Sequence, residues 1–130
     1  MKLFSDVVRE KGGAAAVEFA LVSGAFITFV FGVINLGIIT YTNAGVHWAV
    51  ERASRLATIS NTATQSDINT SVNNYLSSLG IASATVSYTV AAGTPPIAHI
   101  GATLSRSYSI PFVPTLTINY AADTYVPLGS

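Results

Sequence analysis

The chain of 130 residues has no cysteine, which excludes disulfide bridges and thiolate metal sites but does not decide a compartment. Charge is scarce as well. Six basic and six acidic residues amount to 9% of the chain, where about a quarter is usual, and they cancel to zero. With no basic excess to form a patch, nothing supports a nucleic-acid partner. Histidine occurs twice, and His47, next to Trp48, has no companion at a metal-ligand spacing, so it reads as a surface residue. No nucleophile elbow, phosphate-cradling glycine loop or close pair of carboxylates is present, and no cofactor is implied. His99, Arg106 and Asp123 read as polar residues on strand surfaces, so the chain is expected not to be an enzyme.

What the chain does have is hydrophobic residues, half of the total, and one long run of them. From Ala14 to Ile39 the twenty-six residues carry a single charge, Glu18. As a helix rising about 1.5 Å per residue they reach roughly 39 Å, enough to cross a hydrocarbon core of about 30 Å with tilt. Phe26, Ile27, Phe29, Val30, Phe31, Val33 and Ile34 leave no polar face, so this is not the amphipathic helix of a water-exposed core. Ahead of it, Lys2, Arg9 and Lys11 stand against Asp6 and Glu10, whereas the next bases on the far side are Arg52 and Arg55. That asymmetry places the N-terminus in the cytoplasm. A cleaved secretory signal is disfavoured, because its apolar region should be about 7 to 15 residues long and end in small residues, whereas this run meets Tyr41-Thr42-Asn43.

Gly13, then Ala14-Ala15-Ala16-Val17-Glu18-Phe19 and an unbroken apolar run, resembles a type IV prepilin signal. The string GGAAAVEFAL is similar to the TadE-like pseudopilins of the tight-adherence (Tad/Flp) pilus system. That resemblance implies a leader (1–13), a transmembrane, pilin-like helix (14–40) and an extracytoplasmic α+β domain (41–130). It implies cleavage between Gly13 and Ala14 by a membrane-embedded prepilin peptidase, with Glu18 as the fifth mature residue and Phe19 beside it. The implied partners are that peptidase, other pilins or pseudopilins, the Tad inner-membrane assembly platform and the lipid bilayer. The implied location is the bacterial inner membrane, with incorporation into a surface pilus left open, and the implied role is a minor assembly component supporting adhesion. The alternative is an uncleaved single-pass anchor whose outer domain binds cell-envelope partners.

Independently of any family, a cut after Gly13 would free an α-ammonium on Ala14 one helical turn from Glu18, whose carboxylate the helix dipole also favours there. The plainer alternative is that Glu18 snorkels to the interface. Ala16, Ala20, Gly24, Thr28 and Gly32 recur every four residues, a spacing that lets helices approach closely in lipid, although a span rich in Ala and Gly produces it by composition too. Asn35 is expected to bond to a neighbouring helix or a backbone carbonyl, and Gly32 and Gly37 could soften the helix around it.

Past Asn43 the helix is expected to continue, or to restart after Gly45, with Val46, Ala49 or Val50, Ala53, and Leu56 or Ala57 on one face and Glu51 paired with Arg55 on another. Tyr41 and Trp48 read as interfacial aromatics. Ser60 to Ser66 is a polar linker. Thr64 and Asp67 form a capping box for a second helix whose apolar face is Ile68, Val72, Tyr75 or Leu76, and Leu79, ended by Gly80. Three strands are predicted, Thr85 to Val90, His99 to Ile110 and Thr115 to Tyr120, forming an antiparallel sheet packed on one face by the helices. Its other face, with Thr103, Ser105, Ser107 and Ser109, is hydroxyl-rich and suits either solvent or a subunit contact.

Overall fold

No proline precedes Pro95. The chain accordingly opens with one unbroken helix, α1, from Lys2 to Ile59. The computed structural model describes residues 2–60 and 62–129, with side-chain surroundings from Gly12 onward, Asn61 apart. The charged side chains of Lys2, Asp6, Arg9, Glu10 and Lys11, and Asn61 of the linker, lie outside the described residues.

Within α1 the polar side chains turn back onto the helix itself. The hydroxyls of Thr28, Thr40 and Thr42 donate to the carbonyls of Gly24, Leu36 and Ile38, and the Asn35 amide donates to the Phe31 carbonyl at 2.8 Å. Asn35 thus takes the backbone option expected of it, and neither Gly32 nor Gly37 interrupts the helix. Beyond Tyr41 the helix continues rather than restarting, and Val46, Ala49, Val50, Ala53 and Ala57 make a buried seam. Ala57 rather than Leu56 closes that seam, and Leu56 points outward. The glycine at position 45 is buried there too. A Cβ on Gly45 would crowd Ile81 Cδ1 and lie 3.3 Å from Leu79 Cδ1, so any larger residue there would have to push these two side chains of the loop aside.

That second helix, α2, spans Gln65–Ser78 and starts where expected. The Thr64 side chain accepts from the Asp67 N–H, while the Asp67 carboxylate accepts from the Thr64 N–H at 2.9 Å. Hydrogen bonds from the Thr64 backbone and side chain hold the Asp67 carboxyl below its ordinary value of 3.8. Ile68, Val72 and Leu76 are fully buried against the α1 seam and the sheet. Gly80, at φ +69, turns the chain out of the helix, and the Ile81 N–H returns to the Leu76 carbonyl. Asn73 then holds the outgoing loop by both ends of its amide, accepting from the Ala84 N–H and donating to the Ala84 carbonyl.

The sheet is an antiparallel meander of β1 (Thr85–Ala91), β2 (Ile97–Tyr108) and β3 (Leu116–Pro127), in that order. With the long apolar helix and α2, this is the α+β architecture expected from the sequence. Ala98, Ile100, Ala102 and Leu104 of β2 face the helices together with Val86, Tyr120 and Ala122. Only the start of β1 falls where expected: β1 ends one residue later, β2 starts two residues earlier and β3 starts one residue later, and the two far ends differ as well. β2 stops at Tyr108, leaving Ile110 outside it, and β3 continues seven residues past Tyr120. The extension pairs Ala122, Asp123 and Tyr125 with Ala102, Gly101 and His99, so a strand of weak local pattern is held by its neighbour's register.

Because both long strands outrun β1, the β2–β3 hairpin projects beyond the rest of the sheet as a two-stranded arm. The arm runs back along α1. At its tip the Thr28 hydroxyl lies 3.4 Å from the Pro111 carbonyl oxygen.

Candidate processing and assembly segment

Gly12 to Ile59 of α1 is long and apolar enough to cross a membrane, and none of its most apolar stretch is buried against the rest of the chain. Side chains such as Phe19, 74% exposed, Val22, Phe26 and Phe29 radiate outward and are left mostly uncovered. In water so continuous an apolar surface is strongly unfavourable, and a bilayer or other apolar helices would cover it. The N-terminal apolar helix therefore fits a membrane anchor.

Gly13, Ala14, Ala16, Glu18 and Phe19 all lie in this helix and are exposed. Ala14 and Glu18 are one turn apart and share a face. Neither Gly12 nor Gly13 has another part of the chain near where a Cβ would sit, so their backbone is open to approach. Two consecutive glycines each weaken a helix by about 1 kcal/mol relative to alanine, which makes this the easiest place near the apolar run to unwind.

The small residues are used unevenly. Ala20, Gly24 and Thr28 line a shallow apolar groove with Leu21, Ala25 and Phe112, so the tip of the chain's own hairpin leans over three of the five. Ala16 and Gly32 do not line that groove. No sequence pattern signalled this neighbour, since Pro111-Phe112-Val113-Pro114 reads locally as a turn between strands. Its only trace was an apolar turn where polar residues are the rule.

On the domain, His99 and Asp123 meet on the outer face of the sheet with Nε2 and Oδ2 3.7 Å apart, and the His99 ring stacks on Tyr125 at 4.4 Å between centroids. Arg106 lies on the opposite face, its guanidinium 5.6 Å from the Tyr108 ring centre. The three polar residues singled out in the sequence are thus divided between two faces. Among the described residues no three His, Asp or Glu side chains gather closely enough to hold a metal ion. On the inner face, Tyr108 and Tyr120 bring their hydroxyls within 2.5 Å. Burial first, and the shared hydrogen bond second, push the Tyr120 hydroxyl up to about 12. Tyr41, the expected interfacial aromatic, is half exposed and donates its hydroxyl to the Leu79 carbonyl. Trp48 lies two turns further along α1, also exposed, beside Arg52 and Tyr75.

Residues 13–55 match the family model described as TadE-like protein. The match begins at Gly13 and takes in the whole apolar run, Glu18, the small-residue series and most of the buried α1 seam, so over this segment the chain is similar to TadE-like proteins. Comparison with curated proteins and with solved structures gave no match.

Proposed function

We propose that this chain, similar to TadE-like proteins over residues 13–55 and so pointing to a component associated with the Tad pilus, is a processed minor pseudopilin or assembly component that supports surface adhesion. The observation that carries the proposal is a single helix in which an unwindable Gly12-Gly13 step, an acid one turn past Ala14 and a long unburied apolar surface follow directly on one another. A prepilin peptidase hydrolyses the Gly13–Ala14 peptide bond on the cytoplasmic side, and the helix stays in the inner membrane with the α+β domain outside. The new Ala14 ammonium and the Glu18 carboxylate then lie on one helix face. In an assembly the same carboxylate accepts the ammonium of a neighbouring pilin or pseudopilin, fixing the axial offset between subunits. Partly buried, such a pair is costly to break, because losing either member strands the other charge.

The role is structural, with the peptidase, other pilins, the inner-membrane assembly platform and the bilayer as partners. In this reading His99 and Asp123 are neighbouring polar residues on β2 and β3 and carry no reaction. The test is the mature N-terminus of protein recovered from membranes of cells that contain the matching peptidase. A start at Ala14 is expected; an intact Met1 would leave the chain an uncut anchor whose outer domain binds a cell-envelope partner.

A further inference from the structure

We infer that the β2–β3 hairpin tip, Ile110 to Pro114, is a second membrane-contacting element, a wedge that enters the hydrocarbon beside α1 from the side of the domain and reaches about its middle. The inference goes beyond the processing role and rests on α1 being a membrane span. Its basis is position. The tip lies against Ala20, Gly24 and Thr28, all within the apolar run, and not against the part of α1 that carries the domain core. Thr28 is thirteen residues short of Tyr41, or about 20 Å along the helix axis. If lipid reached up to Tyr41, much of the arm would lie in hydrocarbon, where unpaired strand edges are not tolerated. If lipid ended below Thr28, the apolar tip and the bare upper run would both face water.

The chemistry of the arm shows where between those limits the boundary falls. The tip is Ile-Pro-Phe-Val-Pro, and no charged residue occurs between Arg106 and Asp123. Pro111 and Pro114 have no N–H to satisfy, and the Val113 N–H donates to the Ile110 carbonyl at 3.1 Å. Three of the five tip residues therefore have no backbone donor left for water. Phe112 is 85% exposed and sits at φ +65, a conformation ordinarily left to glycine or asparagine, so the turn displays a large apolar ring despite the conformational cost. Directly above the tip the outward residues become polar and pair across the strands, Ser107 with Thr117 and Ser105 with Asn119. These belong in the headgroup layer. Placing the boundary between tip and arm leaves Ala14 to Val33, twenty residues and about 30 Å, inside the hydrocarbon, which is the thickness a bilayer supplies. The rest of the apolar run, through Ile38 and Ile39, packs partly against the domain core instead.

The chain has one tryptophan, Trp48, so depth can be read by fluorescence of the full chain in phosphatidylethanolamine/phosphatidylglycerol vesicles. Reporters are Phe112→Trp, Val113→Trp and Val22→Trp, each with Trp48→Phe, beside the native protein. The expected result is that the reporters at 112, 113 and 22 lose most of their emission to acyl-brominated lipid and resist aqueous iodide, whereas Trp48 responds to iodide. Iodide quenching at both 112 and 113, with lipid quenching retained at 22, would overturn the wedge and leave the span intact. Protection of 112 and 113 from both quenchers would overturn it too, since the tip would then be covered by protein. Absence of lipid quenching at 22 would remove the span reading and the wedge together.

Discussion

The Thr28 hydroxyl and the Pro111 carbonyl oxygen lie 3.4 Å apart across 83 residues of sequence, and their meeting marks how far the hairpin arm descends along α1. The same hydroxyl donates to the Gly24 carbonyl at 2.8 Å, so the stronger bond is internal to the helix and the contact with Pro111 is an approach rather than a clamp. What holds the arm in place lies higher up, in the β2–β3 ladder and its buried tyrosines.

Processing and assembly separate by mutation. Gly13→Arg should leave the full-length chain in the membrane, because the residue before the cut is then long and charged. Glu18→Ala should still be trimmed to Ala14 but should be depleted from sheared surface filaments relative to the membrane fraction. Peptide mapping of the two fractions reads both effects. A Glu18→Ala protein that partitions like the wild type would refute the charge-neutralising role.

Tyr120→Phe should destabilise the domain by about 1 to 3 kcal/mol near neutral pH, since it leaves the buried Tyr108 hydroxyl without its partner. The alkaline behaviour follows from the raised Tyr120 value. The folded group holds its proton up to about 12 and the unfolded one loses it near 10, so the contribution is complete below 10 and lost as pH rises from there to about 12. Denaturant titrations in detergent at several pH values should show this loss in the wild type and a smaller one in Tyr120→Phe.

Acid acts on the α2 cap with the opposite sign. The Asp67 carboxyl is held below 3.8 in the folded chain, so its stabilisation is present above that pH and disappears as pH falls through the lower folded value. Thr64→Ala removes the side-chain half of the box while the backbone N–H still donates to Asp67, and it should lower stability by about 1 kcal/mol, with part of the acid dependence retained. Thermal unfolding followed by far-UV circular dichroism between neutral and acid pH checks both statements.

Core packing can be probed from both directions. Ile68→Ala, at a site with no exposure, should cost about 2 to 5 kcal/mol through lost burial and the cavity left behind. Gly45→Leu should cost about 1 to 3 kcal/mol, because its side chain would enter space held by Ile81 and Leu79. Urea unfolding with an unchanged slope would attribute each loss to the folded state.

Much of the fold was legible because its determinants are local. The Thr64–Asp67 pair marks a helix start, Ile68, Val72 and Leu76 recur at helical spacing, and Val86 and Ile100 sit in alternating strand patterns. The second half of β3 was not legible, since Ala121-Ala122-Asp123 has little strand preference of its own and is fixed by pairing with β2. In the candidate site, Gly13, Ala14, Glu18 and Phe19 stand in a linear motif and could be named from its resemblance to a prepilin signal. The approach of Phe112 to Ala20, Gly24 and Thr28 depends on the lengths of two strands and the direction of their arm, which no short window encodes.

The unjointed rod of α1 has an angular consequence. At about 100° per residue, Glu18 points within roughly 20° of Ala25, at the edge of the sector that Phe112 overhangs, but about two turns nearer the N-terminus. The acid is therefore not shadowed by its own domain. Since the helix runs without interruption to Ile59, a neighbour that docks on Glu18 also fixes the compass bearing of the outer domain built on its far end.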